Sequence, residues 1–258
     1  MGNTNFEKTK KLVSVAMFAA LAYGVAAMCY FLPKISGFLS LDIKDAVIVL
    51  CALIFGPLSG VAIAIIVPVL ELVTGFSATA LYGLVMNILS SVTFCLVTGL
   101  IYKHKRSFYG AIVALVAGVF SVTAVMILAN LLITPLYLTF IGKDVGVIEV
   151  LKQVFLDAQS GAEGSVGTKD EVLKNSSAVV KMIPTILLPF NFTKATLNGA
   201  IVLLLYKPLS NVLKATRMIE YDLTDTKEKK FNARSFAVTL IAIAIIIAAL
   251  CVIFFVLK

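Results

Sequence analysis

The sequence predicts an all-α integral membrane protein, a bundle of six helices followed by one extra C-terminal transmembrane helix. Three observations predict it. Of 258 residues, 60% are hydrophobic and 14% charged, with a mean hydropathy of +1.02, a balance outside the range of water-soluble globular chains. Apolar runs recur at lengths suited to a bilayer. The Lys and Arg residues behind the net charge of +8 gather in short segments between those runs. That is the positive-inside distribution and not a nucleic-acid surface, so the surrounding partner is lipid and no nucleic acid is expected.

Composition also excludes several kinds of chemistry. Cys29, Cys51, Cys95 and Cys251 lie in apolar stretches without CxxC spacing, which supports neither a disulfide framework nor a metal site. The single histidine, His104, sits in the basic segment KHKR, leaving no histidine triad and no histidine metal cluster. No GxxxxGK[ST] occurs, so any ATP-driven step belongs to another subunit. No catalytic residue and no resident cofactor are expected.

Helix 1 follows Lys8, Lys10 and Lys11 and runs from Leu12 to about Leu32. It is too long for a signal peptide and has no convincing A-x-A cleavage site. Ala16, Ala20 and Gly24 form a small-xxx-small row, widened by Ala19, Ala22, Ala26 and Ala27. Such a row serves close packing within the chain or docking onto a partner. Pro33 to Lys44 is expected to be a structured outer loop, whose alternating Leu39, Leu41 and Ile43 give it apolar surface to cover something.

Asp42 and Asp45 introduce helix 2, which ends at Phe55. Its shortness predicts a tilted helix or one partly sunk into the surface. The segment GPLSG (56–60) reads as a tight reversal, and helix 3 covers about Val61 to Val73 with Pro68 and Glu71. Helix 4 runs from about Leu81 to Tyr102 and carries Asn87 and Ser91 on one face. Helix 5 spans roughly Tyr109 to Leu132, with Asn130 near its end and Pro135 expected to break it. Residues 140–182 form a long loop rich in Gly, Ser and acids, expected to be flexible and peripheral.

Helix 6, LPFNFTKATLNGAIVLLLYKP (188–208), places Asn191, Lys194 and Asn198 at i, i+3 and i+7, on a single helical face. A lysine in the hydrocarbon must snorkel, pair, or line a polar cavity. This face is read as one wall of a binding site. A charged linker to Arg234 and a seventh run, Phe236 to Leu257, complete the chain. The organisation expected is therefore a membrane domain at 1–209, a cytoplasmic linker at 210–234 and an anchor helix at 235–258. With the N-terminus cytoplasmic, the inner segments hold thirteen Lys and Arg, the larger share. The C-terminus and the 140–182 loop are then extracellular. Glu71, Asn130, Asn191 and Lys194 share the outer half, the depth of an outward-facing pocket.

The motifs MFAALAYG, LDIKD, FGPLSG, ANLLITPLY and LPFNFTKATLN with LLYKPL together resemble the riboflavin-binding S component of energy-coupling factor (ECF) transporters, over residues 12 to about 209. The resemblance implies a six-helix S-component bundle in the cell membrane that captures riboflavin from outside. Its implied partners are a transmembrane coupling subunit and two ATPases. By the same resemblance Ala16 and Ala20 face the coupling subunit, Asn130, Asn191 and Lys194 line the flavin pocket, and the first loop near Leu41 and Asp42 closes over it. A flavin edge carries carbonyl and imide groups that suit an amide and an ammonium, and the ribityl hydroxyls have Asn87, Asn198 or Glu71 to meet. With no tryptophan, stacking falls to Tyr82, Tyr137 or Phe190.

The chain departs from that family at VPVLELV in helix 3, in the long loop and in the seventh helix. A related flavin, such as an analogue or the phosphorylated flavin FMN, or another vitamin is the alternative substrate. Three other functions make different demands on the sequence. A secondary carrier calls for inverted repeats, and an intramembrane enzyme for clustered acids or histidines. A scaffold or receptor would work through the long outer loop.

Overall fold

The computed structural model describes residues 4–31, 42–76, 80–104, 106–140 and 187–215, with five positions between 241 and 248. Among these the chain forms six helices and no strand: α1 (Thr4–Tyr30), α2 (Lys44–Phe55), α3 (Pro57–Val73), α4 (Ala80–His104), α5 (Phe108–Phe140) and α6 (Leu188–Ala215). Apolar stretches long enough to cross a membrane lie in α1, α4, α5 and α6. Leu41, the segment 141–186 and nearly all of 216–258 lie outside the described residues. Of the seventh run, Ile241, Ala242, Ala244, Ile245 and Ala248 are helical.

α2 corrects the expectation of a helix at the surface. Its twelve residues span only about 18 Å, yet Lys44 through Leu53 are all buried. It packs against α1, α3, α4 and α6. A helix too short to reach both faces of a bilayer has two exposed backbone ends to satisfy, and burial among longer neighbours supplies the partners. Ile48, Val49 and Cys51 belong to the same core as Ile63 and Val67 of α3 and Phe94 of α4.

Three boundaries also differ from the sequence reading. The GPLSG segment is mostly helix: Gly56 alone turns the chain, at φ 99°, and Pro57 starts α3. Positive φ suits glycine, and proline fits a helix's first position, where no amide hydrogen is needed. α5 continues through Pro135 to Phe140 and α6 through Pro208 to Ala215. One proline removes one backbone hydrogen bond, and long helices packed on neighbours absorb that loss.

α4 and α5 approach closely where α5 has no side chain. A Cβ on Gly118 would lie 2.8 Å from the Phe94 ring and collide with the Thr98 hydroxyl. On α1, Ala22 and Ala26 face the interior, contrary to the broad smooth surface expected of them. Ala16, Ala20 and Gly24 are exposed beside Met17 and Leu21. At the other end of the α1 to α3 contact, Phe76 sits among Tyr30, Tyr23 and Phe31, with ring centroids 5.4, 6.3 and 6.4 Å away.

Candidate ligand-binding site

The first turn of α2 is the most polar place in the core. The Lys44 side chain is 2% exposed and its ammonium lies 2.5 Å from Asp42 Oδ2 and 2.7 Å from Glu71 Oε1. It also donates to Glu71 Oε2 at 3.0 Å, and the Asn87 amide donates to the same oxygen at 3.1 Å. A buried ammonium is tolerable only with such partners. Burial pushes the Asp42 carboxyl up, but the ammonium groups of Lys44 and Lys194 and the hydrogen bonds from Lys44 outweigh it, holding the acid below the usual carboxylate range.

The backbone of this turn is satisfied by side chains from before it and from α6. Asp42 Oδ1 accepts from the Lys44 amide at 3.0 Å, and Asn198 Oδ1 accepts from the Ala46 amide at 2.8 Å. Asn198 Nδ2 donates to the Asp42 carbonyl at 2.9 Å and to the Lys194 carbonyl at 3.0 Å. Orphan amides at a buried helix start need partners of this kind.

One residue further on, Asp45 turns toward α4. Its Oδ1 accepts from Ser91 at 2.5 Å and its Oδ2 from Ser90 at 3.4 Å. Asp45 and Ser90 line a cavity of about 10 Å³ together with Asn191 and Lys194 of α6, Phe94 and Met126. That is room for about one water. A ring-sized ligand occupies several hundred Å³ of pocket, so its walls must part to admit one. Asn191 donates to the Leu187 carbonyl at 2.8 Å. The Lys194 ammonium has no hydrogen bond among the described residues, while its charge acts on both Asp42 and Asp45.

The structure therefore sorts the candidate residues into two groups. Asn191 and Lys194 share the cavity wall. Asn130 is buried one turn beyond the cavity-lining Met126, donating to the Met126 carbonyl at 2.7 Å and accepting from the Tyr82 hydroxyl at 3.4 Å. Asp42, Glu71 and Asn87 belong to the Lys44 network, and Asn198 is engaged by backbone. Phe190 is buried, and the Tyr137 side chain and Leu41 lie outside the described residues. Sequence reasoning missed Lys44, counted as an outer-loop charge, and Asp45, taken only as a helix start. The i, i+3 spacing of Asp42 and Asp45 around a lysine was the available signal. Among the described residues no group of acids, cysteines or histidine is arranged to hold a metal ion.

Residues 10–206 match the family of ECF transporter substrate-specific components. The chain belongs to this family. As an S component it is part of a membrane transporter and not an enzyme. It is 32% identical over 136 residues to the riboflavin transporter FmnP of Bacillus subtilis (strain 168), covering 52% of this chain and 72% of that one. It is 25% identical over 211 residues to the riboflavin transporter RibU of Staphylococcus aureus (strain TCH60), covering 81% and 95%. A solved S component of a bacterial ECF transporter shares the fold, with TM-score 0.55 and 24% identity over 80% of this S component and 99% of that chain.

Proposed function

We propose that this S component captures riboflavin at the outer face of the cell membrane and delivers it through an ECF complex driven by two partner ATPases. The observation that carries the reading is the cavity lining that Asn191 and Lys194, two donors on one helical face, share with Asp45 and Ser90. That pairing suits the carbonyl edge of a flavin. The names of the two relatives support riboflavin as the flavin concerned. Asn130 extends the polar lining, and the first loop, through Leu41 and Asp42, covers the bound ring.

The exposed row Ala16, Ala20 and Gly24 is the docking face for the coupling subunit, since small residues let another helix approach closely. The N-terminus is cytoplasmic and the C-terminus extracellular, as the basic residues direct. The 140–182 loop, the linker and the seventh helix are additions that capture does not require.

The test is optical. Protein purified in mild detergent from riboflavin-fed cells is expected to carry the yellow absorption of a flavin and, once stripped, to quench riboflavin fluorescence on titration. A colourless preparation that leaves the fluorescence unchanged overturns the reading. Tighter binding of FMN than of riboflavin would reassign the substrate.

A further inference from the structure

We infer that Asp45 is a ligand-binding residue of this S component, its carboxylate accepting the imide N–H of the flavin ring between two carbonyls held by α6. The inference rests on riboflavin capture and goes beyond it by naming a group on α2 and the ligand atom it recognises.

Asp45 is 4% exposed and yet borders the cavity that Asn191 and Lys194 line. A buried carboxylate needs close donors. One oxygen has such a donor in Ser91 at 2.5 Å. The other, Oδ2, has among the described residues only the long contact from Ser90 at 3.4 Å, which leaves an acceptor oxygen with unused capacity. Lys194 is the reciprocal case: a cation on the same cavity, with no hydrogen bond among the described residues and with its charge acting on Asp45. The Lys44 ammonium does not fill the role, since Asp42 and Glu71 hold it.

The pyrimidine edge of a flavin presents acceptor, donor, acceptor in sequence: a carbonyl, the imide N–H, a second carbonyl. A complementary wall offers donor, acceptor, donor. Lys194 and the second amide hydrogen of Asn191 are donors, and Asp45 Oδ2 is the acceptor between them. The ligand then links α2 to α6 through a charge-assisted hydrogen bond, among the stronger kinds available in a buried site.

The experiment compares riboflavin with N3-methylriboflavin, which lacks the imide hydrogen, by fluorescence quenching in detergent. On the wild-type protein methylation is expected to weaken binding by about tenfold or more. On Asp45→Ala, which removes the acceptor and makes room for the methyl group, the two ligands are expected to bind within about threefold of each other. If Asp45→Ala does not fold, Asp45→Ser, which is shorter than aspartate and keeps a hydroxyl for the Ser91 contact, leaves room for the methyl group and the same narrowing is expected. An equal methylation penalty in wild type and variant overturns the assignment while leaving riboflavin capture intact. Absence of riboflavin binding by the wild type overturns capture itself, and this inference with it.

Discussion

Asn198 and Ala46, 152 residues apart in sequence, meet at 2.8 Å, the carboxamide oxygen of one accepting the amide hydrogen of the other. The same side chain donates to the Asp42 carbonyl at 2.9 Å. One amide from α6 therefore bridges the carbonyl before α2 and an amide in its first turn, fixing the acids and the lysine carried there.

Asn198→Ala should strip the buried Asp42 carbonyl of its partner and leave the Ala46 amide only its longer bond to the Ile43 carbonyl, at 3.2 Å. Each unsatisfied group costs about 1–3 kcal/mol. A fall in melting temperature is expected in detergent, with riboflavin absent. A melting curve unchanged from wild type would show that water replaces the amide freely.

Lys44→Met leaves Asp42 and Glu71 buried without their cation. Breaking such a pair costs about 3–5 kcal/mol, so the variant should express poorly or melt far below wild type. Glu71→Gln is expected to be milder, because Lys44 keeps Asp42 and the Asn87 contact has an oxygen left to reach. Thermal denaturation of the two variants side by side checks the order.

Asp42 carries a pH dependence whose sign follows from its depressed carboxyl. An acid with a lower folded than unfolded pKa contributes stability at neutral pH and loses it as pH falls below the ordinary aspartate value of about 4. Wild type should therefore lose stability more steeply below about pH 4 than Asp42→Asn. Parallel melting curves across that range would remove Asp42 as the cause.

Lys194→Ala and Asn191→Ala should each weaken riboflavin binding, by about 1–3 kcal/mol if each donates to the ring. Fluorescence titration of both variants gives the answer. Unaltered affinity in the two would place the flavin elsewhere.

Ala20→Trp on the exposed face of α1 should spare riboflavin binding in detergent and abolish uptake by cells, since a bulky side chain blocks helix approach. Loss of binding would assign the row to internal packing. Deleting residues 157–175 should leave both activities largely intact; lost function there would favour a scaffold or receptor working through the outer loop.

The long spans were legible because length and hydropathy are local properties of the chain. Asn191 and Lys194 were legible as a pair because three residues on a helix share a face. α2 was not, since twelve apolar residues say nothing of which neighbours surround them. The backbone role of Asn198 was not legible for a related reason: a polar side chain on an apolar helix signals a partner, but whether that partner is ligand or backbone depends on a segment far off in sequence. Lys44 was hidden by its place at a loop's end, where a charge is ordinarily solvated.

The ring of Phe76, held among Tyr23, Tyr30 and Phe31, couples the end of α3 to the far end of α1. The exposed row of α1 runs up to Gly24, the neighbour of Tyr23 in that cluster. Any shift of the first helix along that row would therefore be felt at Phe76, where the chain leaves α3.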